Sequence, residues 1–212
     1  MNRPLVIAID GPAASGKGTL ARRIAAHYGL RYLDTGALYR AVARDVLAKG
    51  GDLRHAPTAT EVATQLDPDT LDDPFLRDRG VGEAASIVAR IPEVREAILQ
   101  YQRDFAVLDR GAVIDGRDIG TVVCPDAGAK LFVTATLEER ARRRYHELRS
   151  KTFDVTREQV EDEIRNRDRR DLERDVAPLA QAEDAVLLET TDLDIEAAFQ
   201  AALLAIEGLL ER

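Results

Sequence analysis

The sequence predicts an α/β fold: a parallel sheet covered by helices on both faces. Two observations carry that expectation. Short apolar runs alternate with helix-length amphipathic segments, the order that a parallel sheet with crossover helices requires. The first apolar run is followed at once by a glycine-rich turn and a helical pattern, so strand, loop and helix come in immediate succession.

Strand-like runs fall at residues 5–9, 32–33, 112–114, 130–134 and 185–188. Helix-like patterns fall at 20–28, 37–47, 94–105, 137–148, 160–172 and 195–210. Two helix starts carry their own signal. Thr136 followed by Glu139, and Thr156 followed by Gln159, both fit a capping box. Pro178 marks the expected end of the long charged helix. Residues 52–82 differ in character, with Pro57, Pro68, Pro74 and several Asp; they read as an irregular insertion with one short helix at 58–66. In a parallel sheet ligands collect beyond the strand C-termini. The loop after Ile9, Asp34 after Leu33 and Asp115 after Ile114 would meet there.

Bulk properties narrow the function classes. A chain of 212 residues suits one domain with its own core. The single cysteine, Cys124, excludes an internal disulfide framework and any Cys-rich metal site. Met1-Asn2-Arg3-Pro4 leads straight into the first strand, with no signal-peptide pattern, and no apolar run approaches the ~20 residues of a membrane span. A soluble cytoplasmic protein is expected. The net charge of −8 argues against nucleic acid as the main partner. Arginines nonetheless crowd two segments, 140–149 and 165–174. They are either solvated helix faces or, given the glycine loop, phosphate ligands, for which the planar guanidinium is suited.

Four clusters carry chemistry. Gly11, Pro12, Ala13, Ala14, Ser15, Gly16, Lys17, Gly18 and Thr19 form the glycine loop. Its backbone N–H groups can turn toward one anion, aided by the positive end of the following helix. Lys17 can reach the outer phosphates and Thr19 carries a hydroxyl suited to Mg²⁺, directly or through water. In the second cluster a strand ends at Asp34, and Thr35, Gly36 and Arg40 follow. Thr35 and Arg40 either reach a ligand above the sheet edge or form an ordinary capped turn. In the third, the strand at 112–114 ends in Asp115, Gly116, Arg117 and Asp118; it resembles a Walker B strand, Gly116 lets the backbone approach a ligand, and Arg117 can meet a phosphate. The alternative is a surface Arg–Asp turn. The fourth is a helix face: Val160, Ile164, Arg167, Asp171 and Arg174, spaced four, three, four and three apart. It starts apolar and ends charged. Either Arg167, Asp171 and Arg174 point into a cleft, with Asp171 accepting from a base amine or ribose hydroxyl, or the helix end frays with local ion pairs.

The glycine loop ends Gly-Lys-Gly-Thr, with the hydroxyl residue displaced one place from the general P-loop pattern, as in nucleoside monophosphate kinases. With Asp34-Thr35-Gly36, Tyr39-Arg40, Ala85-Ser86, the 92–95 segment Pro-Glu-Val-Arg, Asp115-Gly116-Arg117-Asp118 and the run from Arg167 to Leu179, nearly the whole chain resembles the bacterial cytidylate kinases. The resemblance implies the P-loop NTPase fold, ATP and Mg²⁺ bound at residues 11–19, and phosphoryl transfer to CMP or dCMP. It implies that Asp34, Thr35, Tyr39, Arg40, Gly116, Arg117 and Asp118 hold the acceptor, with Arg40 and Arg117 on its phosphate. Ser86, Arg95 and Asp171 would meet the cytosine. Arg167, Asp171 and Arg174 would serve ribose and phosphates, so that Lys17, Arg117, Arg167 and Arg174 supply the catalytic charge. It further implies a single 1–212 kinase domain, acting as a monomer. The core would be 1–29 with 106–136 and 180–212, the acceptor lobe 34–105, and the lid 137–178, centred on 140–157. The family's acceptor lobe often holds a small antiparallel sheet; the short, Pro/Asp-rich 67–79 segment implies that it is reduced or absent here. Two other readings remain: a P-loop kinase with another small acceptor, of UMP or shikimate type, and a GTPase-like switch. The switch needs Asn-Lys-x-Asp, and neither asparagine, Asn2 or Asn166, is followed by Lys.

Overall fold

The computed structural model describes residues 4–78 and 80–211. The expected lead-in of residues 1–3 and Arg79, at the end of the proline-rich insertion, lie outside them. Along the chain run β1 (Leu5–Asp10), α1 (Lys17–Tyr28), β2 (Arg31–Asp34), α2 (Thr35–Ala48), α3 (Ala56–Thr64), α4 (Val81–Val88), α5 (Pro92–Val107), β3 (Gly111–Gly116), β4 (Ala129–Thr134), α6 (Leu137–Ser150), α7 (Arg157–Leu172), β5 (Val186–Glu189) and α8 (Ile195–Leu210). Short 3₁₀ turns at Pro68–Thr70 and Pro74–Arg77 fill the insertion, where the described residues contain no strand.

The five strands form one sheet in the order β2-β3-β1-β4-β5, and every pairing is parallel. Alternation along β1 explains the layers. Ile7 and Ile9 face one way, onto Leu20 and Ile24 of α1 and Phe199 and Ile206 of α8. Ala8 faces the other way, with Ile114, onto Leu38 and Val42 of α2, Val88 of α4 and Ile98 of α5. Ile7, Ile9, Ile24, Ile98 and Ile114 are wholly buried, and burying each side chain contributes about 1.5–3 kcal/mol. A separate small core, Ala141, Leu148, Val155, Val160 and Ile164, joins α6 to α7 and makes that pair a packing unit of its own.

The register brings the three expected strand ends together: Asp34 of β2 pairs with Asp115 of β3, and Asp10 of β1 with Gly116. Several boundaries differ from expectation. α1 and α7 begin at Lys17 and Arg157, three residues before their first apolar positions, because periodicity marks only the buried face while the first turn is polar. α4 has no counterpart in the expected pattern; its eight residues are rich in Gly and Ala and too short for a clear period. Thr156 and Gln159 make the full capping box, but at Thr136 only half forms: Glu139 N–H donates to the Thr136 hydroxyl, while the Glu139 carboxylate turns to Arg142 and Arg143. α7 stops at Leu172, well before Pro178; the chain folds back so that Leu179 N–H donates to Asp171 O at 2.8 Å. Arg174 therefore lies just beyond the helix rather than on its face.

Candidate active site

The glycine loop leaves β1 under tight steric control. Gly11 has φ +151°, and a Cβ there would stand 2.0 Å from Val133 O, so no other residue fits. Ala14 and Gly16 also have positive φ, at 58° and 85°. Gly16 brings no side-chain cap to α1, leaving the first backbone donors of that helix free for an anion. Lys17 folds back over the loop, its Nζ donating to Pro12 O at 3.3 Å. The buried Ser15 hydroxyl has no partner. Thr19 lies exposed on the first turn.

Three acids stand behind the loop. Tyr32 OH donates to Asp115 Oδ1 at 3.1 Å, while Asp115 Oδ2 lies where it would be 3.4 Å from a Cβ on Gly18. Burial pushes the Asp115 carboxyl up, with Asp34 adding to the shift, and burial with Arg117 pushes the Lys17 amine down. Asp34 pairs with Arg40 at 2.7 Å. Asp10 accepts from Ile119 and Gly120 N–H at 2.9 and 2.8 Å; burial outweighs those bonds and raises it to about 6. Its work is to cap the turn Ile119–Val123 that closes the end of β3.

Two cavities adjoin. The larger, about 510 Å³, is lined by residues 13–19, Asp34, Arg40, Arg144 and others. The smaller, about 40 Å³, is lined by Thr35, Tyr39, Ser86, Asp118, Asp171 and Arg174 among others. Gly36, Gly116, Arg117 and Arg167 line both. Arg117 Nε donates to Asp171 Oδ2 at 2.7 Å. Burial alone would raise the Asp171 carboxyl, but Arg117, Arg167 and Arg174 outweigh it and hold it below the usual range. Burial beside Arg117 lowers Arg167 to about 10. Thr35 does not offer its proton to the cavity: its Oγ1 donates to Asp115 O at 2.8 Å. Arg95, buried behind the smaller cavity, pairs with Asp118 and lies over the Tyr39 ring, 5.6 Å from its centroid. Buried donors without partners cluster here: Arg40 Nε, Arg95 Nη1, Arg167 Nε and Arg174 Nη2. A desolvated guanidinium N–H is costly unless an anion or carbonyl meets it, so the cleft is built for an anionic, acceptor-rich ligand.

A divalent cation has a modest place in this set. Among the described residues no group of three or more His, Cys, Asp or Glu could hold a metal ion. The Thr19 hydroxyl and the Asp115 oxygen beside Gly18 fit Mg²⁺, which takes few protein ligands and completes its shell with phosphates and water.

Four side chains escaped the sequence reading. Tyr32, which orients Asp115, passed as a strand residue. Arg140 Nη1 donates to Ala13 O at 3.0 Å and pairs with Asp168, whose Oδ1 accepts from Ala13 N–H at 3.2 Å. α6 and α7 are thereby tied to the glycine loop. Asp168 sits four residues after Ile164, on the same face, and that spacing was a usable signal; Arg140 stood in an arginine crowd that spacing cannot rank. Arg170 Nε donates to Ser86 Oγ at 2.8 Å, and Ser86 Oγ donates to Glu83 O at 2.8 Å.

The family model described as Cytidylate kinase matches residues 7–207. A cytidylate kinase of Rhodopseudomonas palustris is 54% identical over 97% of both chains. One of Xanthobacter autotrophicus is 59% identical, covering 96% of this chain and 98% of that protein. One of Methylocella silvestris is 57% identical over 96% and 94%. Among solved structures, TT1252 from Thermus thermophilus shares the fold with a TM-score of 0.52 at 24% identity, covering 99% of each chain. A gluconokinase from Sinorhizobium meliloti does so at 0.53 and 14%, covering 100% of this chain and 96% of that one.

Proposed function

The chain belongs to the cytidylate kinase family, and on that premise we propose how its cleft works: it transfers the ATP γ-phosphoryl group reversibly to the 5′-phosphate of CMP or dCMP. The observation that carries this reading is the sharing of Arg117 and Arg167 by the two cavities. A group passing from the glycine loop to the smaller cavity would cross between them.

The ATP phosphates would lie on the backbone donors of residues 11–19, with Lys17 on the outer phosphates. The acceptor phosphate would meet Arg40 and Arg117, and its ribose Asp171. Arg95 Nη1 and Arg174 Nη2 are free donors beside Asp118; donors next to an acid complement the ring acceptors and exocyclic amine of cytosine. Thr35 and Tyr39 would wall the acceptor, with the Thr35 oxygen's lone pairs facing it. The acceptor phosphate oxygen is the nucleophile, so no protein nucleophile is needed. The residues supply alignment and positive charge for the in-line transfer. Lys17, Arg117, Arg167 and Arg174 carry that charge. Bound at Thr19 and next to Asp115, Mg²⁺ would neutralise phosphate oxygens.

The reading divides the domain into a core (1–29, 106–136, 180–212), an acceptor lobe (34–105) and a lid (137–178). The lid's separate core supports its moving as one piece, and its bonds to Ala13 are the contacts by which it rests on the loop. Its closing arginines would complete the site only with both nucleotides present, which limits transfer to water. No helix among the described residues is long and apolar enough to cross a membrane; the reading takes the enzyme as a cytoplasmic monomer. An ADP-release assay over CMP, dCMP, UMP, AMP and shikimate tests it. CMP and dCMP should dominate, UMP be weak and AMP negligible; equal kcat/KM for AMP and CMP would refute it.

A further inference from the structure

We propose that Arg140 and Asp168 are positioning residues for the glycine loop: by gripping the Ala13 peptide they hold Ala14 in the left-handed conformation that shapes the loop for phosphate. The inference rests on the reading of residues 11–19 as the donor-phosphate site. Ala14 has φ 58°, a region that alanine enters at a cost because its Cβ crowds the following carbonyl. A glycine would take either sign of φ about equally. Left to itself, Ala14 would spend most of its time elsewhere. Both polar groups of the preceding residue are held from outside the loop. Ala13 N–H donates to Asp168 Oδ1 at 3.2 Å, and Ala13 O accepts from Arg140 Nη1 at 3.0 Å.

The grip is itself well held. Arg140 is buried, its Nε donates to Ala135 O at 2.9 Å, and its Nη1 also pairs with Asp168, so the two side chains fix each other through a charge-assisted bond. The side chain of Ala14 packs against the small core of α6 and α7. The same two helices therefore meet the loop twice, at the Ala13 peptide and at the Ala14 methyl. Ala13 and Ala14 line the larger cavity, whereas Arg140 and Asp168 line neither. The pair thus acts on the donor nucleotide only through the shape of the loop.

The test is Kd for ADP, by calorimetry, with and without Asp168→Ala, in the wild-type chain and in an Ala14→Gly background. In Asp168→Ala, Arg140 keeps Ala13 O and Ala135 O as acceptors, so the variant should fold. Arg140→Met, which removes the other half of the grip, is the second variant. Where Ala14 must hold the left-handed turn unaided, only a small fraction of loops is ready to bind, and Kd should rise about tenfold. In the Ala14→Gly background the same substitution should change Kd by less than about threefold, because glycine reaches that turn without the grip. Arg140→Met should repeat both results. The proposal is overturned if neither variant changes the affinity for ADP, or if the loss is equal in both backgrounds, since a general loosening of α6 and α7 would not be rescued by a glycine in the loop. A wild-type protein that does not bind ADP would instead sink the donor-site reading itself, and the proposal with it.

Discussion

Lys17 has Pro12 O as its hydrogen-bond partner and Arg117, Asp115, Arg167 and Asp34 as its charged neighbours. Lys17→Ala removes one hydrogen bond, that to Pro12 O at 3.3 Å, while Asp115 keeps its bond from Tyr32 OH. The fold should survive, with unchanged circular dichroism, while kcat falls by about 10²–10³, as for other preorganised charges at a transition state. The depressed amine makes a second prediction. In the free protein burial and Arg117 favour the neutral amine; bound phosphates favour the ammonium and raise its pKa. Between those two values the complex binds more protons than the free enzyme, so ADP binding at pH 8 should take up a fraction of a proton. Calorimetry in buffers of different ionisation enthalpy measures it, and the uptake should vanish in Lys17→Met. Gly11→Ala belongs to the same scale. Its Cβ would collide with Val133 O at 2.0 Å, so the variant should be destabilised by several kcal/mol or fail to fold, as thermal melting would show.

At the scale of elements, α7 holds most of what the sequence could and could not reveal. Its spacing placed Val160, Ile164, Arg167 and Asp171 on one face, and the structure brings Arg167 and Asp171 to the cleft. The same spacing carried Arg174 along, although the chain leaves the helix at Glu173 and brings Arg174 to the cavity by a fold-back. Periodicity cannot see that exit, because it depends on the Leu179 to Asp171 hydrogen bond. Periodicity puts Asp168 on the face of Ile164 but cannot show its partner, nor that of Arg140, because both partners lie at Ala13, far earlier in the chain. The Thr156 capping box starts this helix, and Thr156→Ala should cost about 1 kcal/mol. Because α6 and α7 share a core separate from the sheet, that loss should appear as faster amide exchange in α6 and α7, with the strands unchanged.

For the whole molecule, the strand–loop–helix start and the alternation of runs made the sheet legible, since both follow from local chemistry. The gathering of the loop after Ile9, Asp34 and Asp115 followed once the runs were parallel, whereas the strand order β2-β3-β1-β4-β5 is set by pairings that the runs alone do not fix. What stayed hidden were contacts between elements distant in sequence: Tyr32 with Asp115, Arg170 with Ser86, α6 and α7 with Ala13. Charge is distributed on the same scale. The chain carries −8, yet Arg40, Arg117, Arg167 and Arg174 converge on one cleft. That local field, rather than the net charge, should govern approach. Nucleotide association followed by stopped flow should slow several-fold as ionic strength rises from about 0.05 to about 0.5 M. The central claim is that donor and acceptor subsites share one arginine-lined passage. It is tested most directly by titrating the protein with adenosine and cytidine joined 5′ to 5′ through five phosphates. The account predicts one molecule per chain, bound more tightly than ATP or CMP, and displaced by either. Binding of two molecules per chain, or competition with ATP while CMP still binds, would contradict it.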